Sequence, residues 1–351
     1  MRGARPLRVS VPGNLLLLGE YAVLEEGGVG LALALEKRLR VRWQPAAGLP
    51  GASPGETLVV EGSWPGGSLL WSESAPEASP LVTAVVRACR SALPEAASGG
   101  GCGVGPGGAG GGPPWVGGRV SIDSSAFFAA GGRKSGYGSS AAVAVGLAAV
   151  LLRRSGLTGA ALQRGVLRAA LEGHRAAQGG VGSGYDVLAS LHGGLGLFRG
   201  GREPSWRPVR LPWLPPLSLF RGEHSVATPG AVGRYLAWKE QDPAGARRFL
   251  ERSNQSVLRF LQAGSWAEAS VQFRRLRDLG IEVGERIGAE ARLSPPAALA
   301  SGSWKAIGAG DELGVYVGGA ASDGPGFHEC IEGAATPDLV ILAEGGLQWE
   351  A

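Results

Sequence analysis

Apolar and polar positions alternate from Leu7 to Val11, Asn14 to Leu18 is a short apolar run that also suits a strand, and the alternation returns from Gly30 to Trp43. A period of two predicts strands, and Pro12-Gly13 reads as a turn between the first two. The period then changes. Between Pro80 and Leu93 the apolar residues Leu81, Val82, Val85, Val86 and Cys89 recur at helical spacing, with Ser79 as a cap before Pro80. The run from Ala141 to Leu152 is apolar all round, which predicts a buried helix opening near Ser139 and Ser140. A second helix is expected from Gly159 to Ala177, carried by Leu162, Val166, Ala169, Ala170 and Leu171. Later helices are expected over Val232 to Lys239, Ala244 to Leu261 and Trp266 to Leu279, and a late strand over Gly314 to Val317.

Two stretches interrupt the periodicity. Residues 98–118, SGGGCGVGPGGAGGGPPWVGG, have too few apolar residues to pack and read as a surface insertion. Arg202 to Pro216, REPSWRPVRLPWLPP, suits an extended connection between domains. The chain therefore divides into residues 1–205 and 206–351. A length of 351 residues with 44% hydrophobic content supports two buried cores. The net charge of +4 is spread without a basic block, so neither nucleic acid nor a membrane surface is an expected partner. Cys89, Cys102 and Cys330 are odd in number and lack metal-ligand spacing, which suits free thiols in the cytoplasm. The early Leu run is broken by Pro12, Gly13 and Asn14 and followed by Glu20, so it reads as a strand and not as a secretion signal.

Candidate chemistry centres on GRKSGYGSSAAVAVG, residues 132–146. Glycines permit positive φ and close ligand approach, and amides at a helix start converge on an anion. With 61 glycines in the chain, a glycine near a helix is commonplace. The informative feature is the join of Arg133 and Lys134 to a small-residue loop ending in Ser139 and Ser140, which points to a phosphate. A second segment, HRAAQGGVGSGYDV, gathers His174, Arg175, Gln178, Ser183 and Asp186; taken alone, Asp186 could simply cap the next helix. PGNLLLLGEYAVL places Asn14 at one end of an apolar run and Glu20 and Tyr21 at the other, and WKAIGAG ends in Gly308-Ala309-Gly310. A strand edge and a plain turn would explain these two if they stood apart.

In this order, the four segments resemble the GHMP kinase superfamily of galactokinase, homoserine kinase, mevalonate kinase and phosphomevalonate kinase. GRKSGYGSS and HRAAQGGVGSGYDV are most similar to the phosphomevalonate kinase branch, and the resemblance runs from about Val11 to about Val317. It implies an α+β fold in two parts: an N-terminal domain like domain 2 of ribosomal protein S5, and a C-terminal ferredoxin-like domain, with the active site between them. It further implies ATP and Mg2+ as cofactors and 5-phosphomevalonate as substrate, in the mevalonate route to isoprenoids, by a monomer or homodimer. Carried over by position, Gly136, Tyr137, Gly138, Ser139, Ser140 and Ala141 would hold ATP, with Ser140 the magnesium ligand. Asp186 and Lys134 would be catalytic. Asn14, Glu20, Tyr21, His174, Gln178, Ser183, Gly308, Ala309 and Gly310 would line the acceptor side. The chain departs from the family in carrying Asn14 where Lys is common and in a short third glycine motif before Asp311. Mevalonate kinase, another small-molecule kinase, and a noncatalytic nucleotide-binding relative are the alternatives.

Overall fold

The computed structural model describes residues 5–45, 58–93, 115, 117–129, 132–222, 228–289, 291–293, 303–308, 310, 312–317, 338–339 and 342–350. Most of the expected insertion, together with Cys102, Cys330 and Ala309, lies outside these residues. The chain opens with β1 (Leu7–Leu18) and β2 (Val29–Pro45). A hairpin, β3 (Val59–Trp64) and β4 (Gly67–Ser72), then leads to α1 (Pro80–Ser91) and β5 (Gly118–Asp123). Three helices follow: α2 (Ser139–Arg154), α3 (Gly159–Ala177) and α4 (Tyr185–His192). Next come β6 (Leu195–Arg199), β7 (Ser205–Pro208) and β8 (Leu217–Arg221). Helices α5 (Thr228–Gln241), α6 (Pro243–Gln262) and α7 (Trp266–Ile287) precede β9 (Ser303–Ile307) and β10 (Leu313–Val317). The short strands β11 (Asp338–Leu339) and β12 (Gln348–Glu350) close the chain.

The strands form two sheets. The first runs β12-β1-β2-β5-β3-β4, with β6 beside β2 and β7 beyond it; the second runs β11-β8-β10-β9. All pairings are antiparallel except β3 with β5. Helix α2 lies buried against the first sheet. Gly146 lets it come so close, since a Cβ there would stand 2.6 Å from the Val41 side chain. A mid-helix glycine costs roughly 0.5–1 kcal/mol against alanine, which this contact offsets. Helix α1 is capped by Ser79, whose Oγ accepts from the Val82 amide at 3.3 Å.

The turn expected at Pro12-Gly13 is not there, because β1 runs through both residues with a register shift opposite Arg38 and Leu35. Gly13 serves a different need: a Cβ would stand 2.8 Å from the Tyr137 carbonyl, so the missing side chain lets the loop before α2 rest on the strand. The Pro-rich stretch is also not wholly a connection, since Ser205–Pro208 pairs with β6 in the first sheet. The chain end returns to that sheet. β12 pairs with β1, and Arg38 donates to the carbonyls of Gly345 at 3.2 Å and Gly346 at 2.5 Å. Cys89 is free and buried, and burial pushes its thiol up, which makes it inert. No helix among the described residues is long and apolar enough to cross a membrane.

Candidate active site

The loop before α2 is shaped by its glycines: Gly132, Gly136 and Gly138 have φ of 76°, 79° and 68°. Gly138 is the N-cap of α2 and offers no side-chain bond, whereas α1, α6 and α7 are capped by Ser79, Asp242 and Ser265. No acidic residue occupies the first turn of α2. Its first amides therefore suit an anion supplied by a ligand. Asn14 holds the loop in place. Its amide donates to the Ser190 hydroxyl at 2.9 Å and to the Gly138 carbonyl at 3.3 Å, while its backbone N–H donates to the Tyr137 carbonyl at 3.0 Å. Ser190 in turn donates to the Pro12 carbonyl at 2.9 Å. This buried network joins β1, α4 and the loop, and it is where the sequence carries Asn in place of a lysine.

Facing the loop is the start of α4. Gly184, with φ of 86°, is its N-cap, so Asp186 sits in the first turn and does not cap the helix. Asp186 Oδ1 accepts from the Val187 amide at 2.9 Å, and Oδ2 lies 3.6 Å from His174 Nδ1. His174 is buried on α3; its Nε2 is 3.0 Å from Ser140 Oγ and 3.4 Å from the Gln178 amide nitrogen. An amide nitrogen only donates, so Nε2 accepts and the ring proton sits on Nδ1, toward Asp186. Ser140 then donates to the same nitrogen and keeps its lone pairs for the cleft. Arg175 binds the loop ahead of α4 from behind, donating to the carbonyls of Gly182 at 3.0 Å and Ser183 at 2.8 Å, and joins it to the turn after β6 through the Gly201 carbonyl at 3.1 Å. Arg175→Ala is expected to cost about 2 kcal/mol, since bonds from a charged donor are lost, and to lower the melting temperature by a few degrees. A thermal melt of the variant beside the wild type checks this.

A third wall comes from the end of β1. Gly19 has φ of 95° and Tyr21 φ of 61°, the one described non-glycine residue in the left-handed region. Such a backbone costs on the order of 1–3 kcal/mol and persists only where its surroundings hold it. Tyr21 stacks on Tyr235 of α5 at 5.3 Å, and burial pushes its phenol up to about 12. Glu20 pairs with Lys305 of β9. Burial pushes the Glu20 carboxyl up and the Lys305 ammonium down, and each group opposes the other's shift as its counter-charge.

These walls enclose a cleft of about 340 Å3. It is lined by Asn14, Glu20, Tyr21, Lys134, Gly136, Tyr137, Gly138, Ser139, Ser140, Gln178, Ser183, Asp186 and Gly308, so segments far apart in the chain meet in one place. Three expected residues stand off it. Ala141 is fully buried beneath the helix start, His174 lies behind Ser140, and Gly310 borders a smaller recess beside Lys305. Ala309 lies outside the described residues. No protein-family model and no curated protein sequence matches the chain. Solved structures do match. A Lin0012 protein from Listeria innocua aligns at a TM-score of 0.71 and 16% identity over 99% of both chains. The Streptococcus pneumoniae phosphomevalonate kinase in complex with phosphomevalonate and AMPPNP aligns at 0.60 and 16%, covering 90% of this chain and 92% of that one. The Methanococcus jannaschii mevalonate kinase aligns at 0.60 and 13%, covering 91% and 92%.

The fold is that of the GHMP kinases. It is a two-part α+β fold, as the sequence resemblance implies, and the cleft lies where the parts meet: Pro229 and Val232 of α5 and Ile307, Glu312 and Leu313 of the second sheet complete its lining. Sequence reasoning did not single these out, because apolar residues of a late helix and strand carry no motif. Ser190 also went unnoticed; a serine inside an apolar helical run is the only signal, and its use depends on Asn14 lying opposite. Arg175 and Lys305, two cations beside the cleft, are both engaged by the protein itself.

Proposed function

We propose that the protein is an ATP- and Mg2+-dependent kinase that transfers a phosphoryl group to 5-phosphomevalonate, giving 5-diphosphomevalonate and ADP. The observation that carries this reading is the placement of the uncapped start of α2, with its glycine loop and Ser140, opposite Asp186 in one cleft. Phosphoryl transfer asks a protein mainly for positioning and for stabilisation of phosphate charge. The amides at Gly136 to Ser140 would cradle the nucleotide phosphates, and Lys134 would neutralise part of their charge. The groups present fit magnesium: the cleft is lined by oxygen donors, among them the Ser140 hydroxyl and the Asp186 carboxylate. Magnesium is commonly held by one or two protein ligands and substrate phosphates, and Ser140 and Asp186 supply such ligands. When bound, the ion offsets charge on the transferring group.

In the reaction, the bond from the terminal phosphorus to the ADP oxygen breaks as one forms to an acceptor phosphate oxygen. A phosphomonoester has a second pKa of about 6, so near neutral pH that oxygen is already ionised. Asp186 is then needed to orient, with His174 behind it, more than to remove a proton. One observation favours mevalonate as a second reading: among the described residues lining the cleft, Lys134 is the only cation, against Glu20, Asp186 and Glu312. An acceptor with one charged group fewer would meet less repulsion. The deciding experiment offers purified protein ATP and Mg2+ with 5-phosphomevalonate or mevalonate in parallel and follows ADP release. Turnover with the phosphorylated acceptor alone is expected. Turnover with mevalonate alone would move the assignment to the second reading, and silence with both, beside measurable ATP binding, would point to a noncatalytic nucleotide-binding relative.

A further inference from the structure

Lys305 is 1% exposed, yet its ammonium reaches three acceptors: the Glu20 carboxylate, the Leu17 carbonyl at 3.3 Å and the Ala306 carbonyl at 2.7 Å. An ammonium has three hydrogens, so its bonding is complete and none is left for a ligand. The acceptors come from both sheets. Leu17 and Glu20 belong to the end of β1 and the turn after it, Ala306 to β9, and Gly308 on the cleft wall follows two residues later. Lys305 itself borders only the recess behind the cleft, whereas Glu20 and Tyr21 border both. The elbow at Gly19 to Tyr21 packs tightly on β2, since a Cβ at Gly19 would stand 2.4 Å from the Val29 carbonyl. On its other side Tyr21 rests on Tyr235.

We propose that Lys305 is a positioning residue for phosphoryl transfer: from the second sheet it holds the Gly19 to Tyr21 elbow in the conformation that presents Glu20 and Tyr21 to the acceptor. The proposal rests on the kinase reading above. It removes Lys305 from the groups that touch substrate and makes Glu20 the link through which the second sheet shapes the acceptor wall. Removing one partner of a buried pair leaves an uncompensated charge, whereas removing both does not. The test therefore compares Lys305→Met with the double variant Lys305→Met/Glu20→Met, and adds Glu20→Asp, which keeps the charge and shortens the reach.

The double variant is expected to regain the melting temperature lost by Lys305→Met. Its kcat is expected to stay about tenfold or more below wild type, because misplacing a substrate-positioning group costs turnover even where the chemistry is untouched. KM for ATP should stay within about twofold, since the loss falls on the acceptor side. Hydrogen exchange of the amides at 22–25, whose acceptors are Gly19 to Ala22, should be faster in the double variant. Recovered melting with wild-type kcat would overturn the proposal. If the double variant does not fold, Glu20→Asp decides: a well-folded variant with the same loss of kcat supports the proposal, and unchanged kcat ends it. Wild-type protein silent with every acceptor would retire the kinase reading instead; the holding role of Lys305 then stands on accelerated exchange alone and falls if exchange is unchanged.

Discussion

Asp186→Asn is expected to lower turnover by about a hundredfold or more, the range for loss of one electrostatic contact to the transferring group. The nucleotide dissociation constant, titrated without magnesium, should stay within about twofold, because the cradle belongs to the loop and to α2. Asn keeps an oxygen for the Val187 amide, so the first turn of α4 retains its bond; what is lost is the charge facing the cleft and the acceptor for the His174 Nδ1 proton, which the new NH2 group meets donor to donor. Steady-state ADP release together with a nucleotide titration checks both halves. Unchanged turnover would take Asp186 out of the reaction, and a large loss of nucleotide affinity would move its role to the cradle.

Gly138→Ala should have the second largest effect. The residue has φ of 68°, and a Cβ would stand 2.2 Å from the Asn14 amide nitrogen. The left-handed backbone costs roughly 1–2 kcal/mol, and disturbing a buried amide with two acceptors costs about 1–3 kcal/mol more. Destabilisation of about 2–5 kcal/mol is expected, with a loss of nucleotide affinity of about tenfold or more as the first amides of α2 are displaced. Gly136→Ala is the control, since its Cβ would meet only the Leu313 side chain at 3.8 Å and the backbone term remains alone. Thermal melts and nucleotide titrations of the two variants check the comparison; equal effects would show that Asn14 does not support the loop.

Much of this was legible because it is local. Helix α3 follows the expected Gly159 to Ala177 span, and α1 begins behind Ser79 as its cap and proline predict. Helices α5 and α6 extend the expected spans at both ends, and α7 runs eight residues beyond Leu279, where buried Val283 and Ile287 continue its apolar stripe. What periodicity could not show was whether Pro12-Gly13 turns the chain or lets another segment approach. Both uses need a glycine, and only the Tyr137 carbonyl packed against it distinguishes them. The short strands β3, β4, β6 and β7 carry no clear period for a related reason, since a few residues held by ladder bonds to neighbouring strands need little pattern of their own.

The site divides in the same way. The chain by itself determined the residue types and their order: a basic pair before a glycine loop, serines at a helix start, an aspartate after Gly-Ser-Gly, and the apolar periods of the supporting helices. These depend on backbone preference and spacing, which act over a few residues. Only the tertiary structure decided that Asn14 braces the loop, that Arg175 and Lys305 are spent on the protein's own carbonyls and on Glu20, and that α5 and the second sheet complete the cleft. Asn14 and Gly138 are 124 positions apart and Lys305 and Leu17 are 288 apart, and sheet order and burial bring them together. Arg175 reaches the carbonyls of Gly182 and Gly201 only 7 and 26 positions away, but across a loop whose path the fold sets. A side chain's charge is fixed by its type, but whether a ligand can use that charge depends on which neighbours have already satisfied it.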